Sequence, residues 1–292
     1  MTERMLNPIF VRGMSRSGGT LLCTLLDAHR DIAMSYELYP NLLETDGHVD
    51  LDLLARALER EKVGPRLERL MPSRSFYTFF SRCHRGGLET VDAARIVRQL
   101  AAEGQSLAGD VGRMRLVELC GLEKMHRLGK RRWGMKCNNR YQDYLAYWPD
   151  AQFFDMLRDG RDVLASQLNT GSFKHRPSEV GEAWVNTHER FEKFAEEHPR
   201  QFRMVRYENL TGEPDLELPA ICAFLNLPMD QAMLRHHEMD LTVFKASHLS
   251  RDRVASSIDT TKIGRWKRDL SSDQLAEFMG AASDSLRKYG YS

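Results

Sequence analysis

The sequence predicts an α/β fold in which a parallel sheet is flanked by helices and interrupted by a helical insertion. Short apolar segments typical of strands alternate with longer segments of helical periodicity, which favours a mainly parallel sheet covered on both faces. The first apolar segment runs directly into a glycine-bearing turn and then into a helix. With 292 residues the chain is long enough for one large α/β core, and we predict a single domain over residues 1–292.

The individual elements follow from the spacing of apolar residues. Short apolar runs predict strands at 8–12, 132–136, 152–157 and 202–205. Apolar residues three and four apart predict helices at 19–28, 51–62, 91–103, 113–130, 160–169, 179–198, 215–225 and 273–289. Residues 44–130 interrupt the alternation, so we interpret them as an inserted helical subdomain rather than an independent domain. Within them, residues 73–80 fit a lid, a substrate loop or buried packing equally well.

Composition excludes several classes of protein. The formal net charge of +1 argues against a general nucleic-acid binder. The first residues lack an apolar signal core, and no run approaches the roughly 18 apolar residues of a membrane span. The five cysteines are scattered without paired spacing, which argues against disulfides and zinc and fits a cytoplasmic location. Cys23 and Cys222 fall in apolar helix patterns and are expected in the core. Composition leaves the oligomeric state open.

The turn after the first strand has the spacing of a phosphate-binding loop. Residues 13–20 read Gly-Met-Ser-Arg-Ser-Gly-Gly-Thr, which is Gly-x4-Gly-x-Thr. Gly19 stands where an ATP or GTP site places a lysine, and Arg16 supplies a positive charge three residues earlier. This pattern indicates a phosphate-rich donor that is used for something other than phosphoryl transfer. The alternative is an ordinary strand-to-helix turn.

The physical chemistry of this loop favours an anion. Glycines allow a tight turn and close approach to a ligand, so the N–H groups of residues 17–21 converge at a helix N-terminus. Arg16 can reach two oxygens at once, and Ser17 and Thr20 can donate hydroxyl hydrogen bonds. The residues expected to bind the donor here are Ser15, Arg16, Ser17, Gly18, Gly19, Thr20 and Leu21.

A second anion site is predicted where the 152–157 strand meets the next helix. Arg158 leaves the carboxyl edge of the sheet, where open α/β sheets bind ligands. Ser166 lies two turns along the helix, within reach of the same phosphate, and Arg161 and Asp162 are expected to pair locally. The alternative is a capped helix with a surface ion pair. Two anion sites on one sheet indicate a nucleotide that bears two separate phosphate groups.

These two motifs resemble those of the sulfotransferases. Residues 16–21 are similar to the 5′-phosphosulfate loop of that family, and residues 158–166 to its 3′-phosphate element. The resemblance implies a P-loop-type fold, 3′-phosphoadenosine 5′-phosphosulfate (PAPS) as donor with PAP as its product, and no metal. The chain departs at Gly19, where threonine is common in the family. That change removes one hydroxyl and should preserve the backbone cradle.

Residues 25–37 resemble the tyrosylprotein-sulfotransferase branch and its bacterial relatives. By that resemblance Glu37 is the catalytic base, because an attacking hydroxyl must lose a proton to a nearby carboxylate. Burial beside an acceptor would raise the pKa of Glu37 usefully. The alternative for Glu37 is a surface or helix-capping carboxylate. Asp27 and His29 are expected to be structural.

The resemblance assigns roles to further residues. Lys136 would stabilise the transferring sulfuryl group or bind the substrate, and Tyr207 would lie against the adenine, although a core-edge tyrosine is the alternative. Residues 250–267 resemble the loop that closes over the nucleotide, with Ser250 and Arg265 as donor contacts. The alternative for that stretch is a plain surface loop.

The sequence therefore predicts sulfuryl transfer from PAPS to an acceptor hydroxyl, with Glu37 removing the proton and with Arg16 and Lys136 stabilising charge on the sulfuryl group and on the bridging oxygen as it leaves. A small metabolite, lipid or sugar is the favoured acceptor, with the helical insertion at 44–130 shaping its site, and a tyrosyl peptide is the alternative. A P-loop small-molecule kinase and a non-catalytic nucleotide-binding protein are the rival functions. Six aromatic residues fit either an acceptor pocket or the core, with the core favoured for the phenylalanine pair, namely Tyr36, Tyr39, Phe76, Tyr77, Phe79 and Phe80.

Overall fold

The predicted parallel sheet is present with five strands, one more than predicted, in the order β2-β3-β1-β4-β5. The structure is a computed structural model that describes residues 7–171, 175–240, 243 and 255–291. The strands are β1 Ile9–Gly13, β2 Ile32–Ser35, β3 Arg132–Lys136, β4 Gln152–Leu157 and β5 Phe202–Arg206. The sequence analysis missed β2, because this four-residue strand follows the first helix almost at once and has no flanking pattern of its own.

The helices agree with the predicted ones to within a few residues at each end, and the structure adds several short ones. They are α1 Gly19–Ala28, α2 Leu51–Arg60, α3 Pro65–Leu70, α4 Arg74–Arg85, α5 Thr90–Ala102, α6 Asp110–Arg127, α7 Tyr141–Tyr147, α8 Gly160–Leu168, α9 Pro177–Glu197, α10 Tyr207–Gly212, α11 Pro214–Phe224, α12 Trp266–Asp269 and α13 Ser272–Lys288. The undecided segment 73–80 is thus most of α4, which begins after a serine cap at Ser73.

The strands separate two hydrophobic clusters because alternate side chains point to opposite faces. Phe10 of β1 joins the cluster that contains the buried faces of α2 to α6, whereas Ile9 and Val11 join a cluster with α1 and α11. The inserted helices therefore share a core with the sheet. The phenylalanines of α4 are at most 1% exposed and belong to this core, namely Phe76, Phe79 and Phe80.

The parallel arrangement places the carboxyl ends of all five strands at one edge of the sheet. The loop after β1 begins there, Glu37 lies two residues after β2, and Lys136 ends β3. Arg158 and Tyr207 directly follow β4 and β5. One edge thus collects a predicted site residue from every strand, which is the position where open α/β sheets bind ligands.

The described ranges given above lack two kinds of feature. Within them no helix combines the length and the apolar character that crossing a bilayer requires. Among the same residues no group of three or more His, Cys, Asp or Glu side chains is arranged to hold a metal ion. All five cysteines are buried free thiols, with Cys23 and Cys222 in the core as expected.

Candidate active site

The loop after β1 is held in shape by its own serine. Ser17 is fully buried, and both its N–H and its hydroxyl donate to the carbonyl of Met14, at 3.0 and 2.7 Å. The Ser17 hydroxyl, which is expected to donate to an anion, is therefore engaged within the turn in this structure. Its donors are used in closing the turn, while Ser15 is exposed and Thr20 half-buried beside the loop.

The N-terminus of α1 presents its backbone N–H groups at the turn after β1. Gly18 is the N-cap with φ +103°, and no side chain caps the helix. The N–H groups of Gly19, Thr20 and Leu21 belong to the first turn, where an α-helix offers them no partner. The cradle that was predicted from the spacing is thus present as backbone geometry.

The two predicted anion sites lie against each other. The Arg158 guanidinium donates to the carbonyl of Arg16 at 3.0 Å, and Arg16 Nε donates to Ser166 Oγ, also at 3.0 Å. The guanidinium carbon of Arg158 lies 4.4 Å from the centre of the Tyr207 ring. Residues that follow β1, β4 and β5 therefore meet at one point. Two cationic side chains, a hydroxyl and a helix N-terminus lie together there.

The C-terminal segment is fastened to α8. The buried carboxylate of Asp162 accepts hydrogen bonds from the N–H groups of Gly264 and Trp266, at 2.8 and 3.0 Å. Arg158 donates to the carbonyl of Lys262 at 2.6 Å. This fastening brings residues 262–266 next to the turn at residues 13–20, which is called the donor loop below, and the closure of these residues over a nucleotide stays a prediction.

One expectation about these segments changes, and two others stay predictions. Arg161 pairs with Asp159 at 2.8 Å and not with Asp162, because the Asp162 carboxylate already accepts hydrogen bonds from the C-terminal segment. Arg265 forms an ion pair with Asp269 at 2.7 Å one turn later, so its guanidinium is engaged in this structure. Ser250 lies outside the described residues.

Glu37 and Lys136 meet beside the donor loop. Lys136 Nζ lies 2.8 Å from Glu37 Oε1, and Lys136 Cε lies 3.5 Å from the place where a Cβ on Gly19 would stand. Arg82 of α4 completes the cluster, since one of its nitrogens lies 3.3 Å from Glu37 Oε2 and another donates to the Glu37 carbonyl at 2.8 Å. The sequence analysis missed Arg82, which is 45 residues away and lies in no motif.

The electrostatics of Glu37 differ from the expectation. Burial acts to raise its pKa, but the charges of Lys136 and Arg82 and the hydrogen bonds from Lys136 and Tyr36 outweigh burial and hold the pKa of Glu37 below its ordinary value. Burial and the adjacent carboxylate raise the pKa of the Tyr36 hydroxyl. Glu37 is thus an ionised carboxylate at neutral pH, not a surface or helix-capping group.

Asp27 and His29 are structural, as predicted. The Asp27 carboxylate accepts from the N–H of Met34 at 2.8 Å and so ties α1 to β2. His29 is fully buried, and its Nδ1 accepts from the N–H of Asp31 at 3.0 Å. Its Nε2 therefore carries the proton and donates to the carbonyl of Pro228 at 2.9 Å.

Comparisons with known proteins agree with this arrangement. Residues 8–231 match the family model described as "Sulfotransferase family". Protein-tyrosine sulfotransferase A of Caenorhabditis elegans is 23% identical over 295 residues, which cover 97% of this chain and 67% of that protein.

Two solved structures share the fold at 17% identity. The sulfotransferase domain from the curacin biosynthetic pathway has a TM-score of 0.63 with 99% of each chain covered. The sulfotransferase domain of the Synechococcus olefin synthase has a TM-score of 0.59 with 96% of each chain covered. Since the family model spans well over half of the sequence, this chain belongs to the sulfotransferase family.

Proposed function

We propose that the protein transfers a sulfuryl group from PAPS to an acceptor hydroxyl. One observation carries this proposal, which is the meeting of the turns after β1 and β4 with an ionised carboxylate and a lysine at one edge of the sheet. A negatively charged donor would meet cationic side chains there, and an acceptor that must lose a proton would meet a carboxylate. The donor, when bound, supplies an activated sulfuryl group on a phosphate leaving group.

The residues that would hold the donor fit its two anionic ends. The N–H groups at the start of α1, with Arg16, suit the 5′ end, because a helix N-terminus and a guanidinium both favour phosphate oxygens. Arg158 and Ser166 suit the 3′-phosphate, and their contacts with Arg16 support a shared site. Tyr207 offers an apolar ring beside Gly18 for the nucleoside.

Glu37 would remove the proton from the acceptor hydroxyl. Its carboxylate is ionised and half-buried, so it is able to accept a proton without first losing one. Lys136 lies between Glu37 and Gly19, and a turn of its ammonium toward the donor loop would stabilise negative charge there and raise the pKa of Glu37. Positioning and preorganised charge would supply most of the catalysis.

The acceptor class is the finer part of the proposal. We favour a small hydroxylated metabolite, lipid or sugar, with a metal-independent reaction in the cytoplasm, which suits five free thiols. The name of the C. elegans relative, a protein-tyrosine sulfotransferase, supports the alternative of a tyrosyl acceptor. The inserted helices would shape the acceptor site, and the contact of Arg82 with Glu37 supports that placement.

Two variants test the site. We expect Arg16→Ala and Glu37→Ala each to reduce donor turnover by at least about a hundredfold, the lower range for acid–base and charge-stabilising groups. A screen of phenols, sugars, fatty alcohols and tyrosyl peptides, read by mass spectrometry as added sulfate, supplies the acceptor for the assay. Turnover near that of the wild type in either variant would contradict its assigned role.

Calorimetry separates the rival functions. We expect PAP to bind without added metal, and ATP with magnesium to bind at least tenfold more weakly. Tight binding of ATP with magnesium and none of PAP would support a kinase instead. Binding of PAP without sulfation of any acceptor in the panel would support a non-catalytic nucleotide-binding protein.

A further inference from the structure

We propose that Arg82 is a positioning residue for Glu37, which it fixes at both the main chain and the carboxylate. The inference rests on the proposed role of Glu37 as the base and adds a residue from the inserted helices to the site. Arg82 would act through Glu37, because it meets the base from α4 while the donor loop lies on the other side of Lys136.

The guanidinium of Arg82 contacts both the main-chain carbonyl and the carboxylate of Glu37. Nη1 of Arg82 donates to the Glu37 carbonyl at 2.8 Å, and Nη2 lies 3.3 Å from Oε2 of the same residue. A planar guanidinium holds two acceptors at fixed angles, which a lysine ammonium cannot do. The Arg82 guanidinium also lies 5.0 Å from the centre of the Tyr39 ring, and its side chain is only 19% exposed. The orientation of the Arg82 side chain is therefore fixed by its contacts with Glu37 and Tyr39 and by burial.

The backbone conformation of Glu37 explains why contacts from Arg82 are needed to hold this residue in place. Glu37 has φ +49°, in the left-handed region that non-glycine residues rarely adopt. Such a conformation persists only where surrounding contacts hold it. The Glu37 carbonyl accepts from Arg82 Nη1 and, at 2.9 Å, from the N–H of Tyr39, and together these bonds hold the peptide in that orientation, with the side chain hydrogen-bonded to Lys136.

The two carboxylate oxygens of Glu37 have different partners, so Lys136 and Arg82 have separate roles. Lys136 holds Oε1 and also adjoins Gly19 of the donor loop, whereas Arg82 holds Oε2 from the inserted helices. When Lys136 turns toward the donor, Arg82 would keep the carboxylate ionised and in place. Among the described residues, the titratable and charged groups that face Glu37 are Cys23 of α1, Tyr36, Tyr39, Arg82 of α4 and Lys136 of β3.

The first experiment measures the ionisation of Glu37 directly. Carbon NMR of protein labelled at glutamate carboxyls follows the titration of Glu37, whose signal is assigned by its loss in Glu37→Gln. We expect Arg82→Gln to move the Glu37 titration to higher pH, and Arg82→Lys to move it less. Arg74→Gln is the matched control, because Arg74 lies on the same helix with a side chain that is 90% exposed. An unchanged titration in Arg82→Gln would overturn the proposal.

The second experiment separates positioning from a merely structural role. The probe is hydrolysis of PAPS, with water as the acceptor, measured with Arg82→Gln in wild-type and Glu37→Gln backgrounds. We expect a loss of up to about a hundredfold in kcat in the first background and none in the second, with the KM for PAPS unchanged. Equal losses in both backgrounds, or a raised KM alone, would show that Arg82 does not act through Glu37.

Control measurements keep the two proposals distinguishable. Thermal unfolding and PAP calorimetry of Arg82→Gln and Arg82→Lys show whether each variant retains the fold and the donor site. If Glu37→Gln hydrolyses PAPS at the wild-type rate, the base assignment fails. The NMR titration still decides whether Arg82 controls the ionisation of Glu37.

Discussion

Two neighbouring glycines at the donor loop differ in whether the structure leaves room for a side chain. Gly18 has φ +103°, and a Cβ there would lie 2.6 Å from the ring of Tyr207. Gly19 has ordinary helical geometry, and a Cβ there would make only van der Waals contact with Lys136 at 3.5 Å. The family difference at Gly19 therefore leaves the backbone cradle intact, whereas Gly18 leaves no room for a side chain.

We expect Gly18→Ala to lower the free energy of unfolding by about 1–3 kcal/mol, because it adds left-handed strain and displaces Tyr207. PAP binding should weaken at least tenfold, since the displaced ring also contacts Arg158. The matched variant Gly19→Ala should gain about 0.4–1 kcal/mol and keep its PAP affinity. Urea unfolding and calorimetry measure both quantities. Identical behaviour of the two variants would show that the left-handed turn is not needed.

At the scale of elements, α8 joins the donor loop to the C-terminal segment. Ser166, near its end, accepts from Arg16, and Asp162 in its first turn holds the N–H groups of Gly264 and Trp266. The guanidinium carbon of Arg161, on the same turn, lies 4.2 Å from the centre of the Trp266 ring. The helix thus provides both the hydroxyl beside the first loop and the anchor of the segment expected to close over the nucleotide.

We expect Asp162→Asn to loosen that segment, because an amide offers one acceptor oxygen where the carboxylate offers two. A lost buried hydrogen bond costs about 1–3 kcal/mol, so PAP affinity should fall about tenfold or more. Hydrogen exchange at the amides of Gly264 and Trp266 should quicken. Asp273→Asn is the control, because Asp273 is exposed in the first turn of α13. Unchanged exchange at residues 264 and 266 would remove Asp162 from this role.

At the scale of the whole molecule, one buried lysine ties the inserted helices to the sheet. Lys124 of α6 is 5% exposed and donates to the carbonyl of Met34 in β2 at 2.6 Å. Burial lowers its pKa to about 8, although nearby Asp27 acts in the opposite direction. The link lies three residues before Glu37 and so helps to fix where the inserted helices meet the site.

The lowered pKa of Lys124 predicts a pH dependence of stability. Between pH 8 and the ordinary lysine pKa of about 10.4, the unfolded chain binds the proton that the folded protein has released, so folding becomes more favourable as pH rises. Relative to Lys124→Met, the wild type should gain up to about 3 kcal/mol across that window. Urea unfolding at several pH values measures this, with exposed Lys62→Met as control. A difference that is flat from pH 8 to 10.5 would contradict the prediction.

Local signals in the sequence determined much of this protein. The strands β1, β3, β4 and β5, the glycine turn and the positions of Arg158, Glu37 and Lys136 follow from short apolar runs, from spacing or from the resemblance that short motifs carry. Each such signal lies within about a dozen consecutive residues, so no knowledge of distant contacts is required. The parallel sheet then places the ends of its strands at one edge.

Only the tertiary structure decided which side chains contact one another at that edge of the sheet. Arg82 reaches Glu37 across 45 residues, and Asp162 holds Gly264 across 102. The lowered pKa of Glu37 depends on Lys136 and Arg82, which come from other segments. Arg161 pairs with nearby Asp159, while Asp162 holds the distant Gly264. Such contacts arise when packing of the core brings distant segments together, because burial then requires each polar group to find a partner.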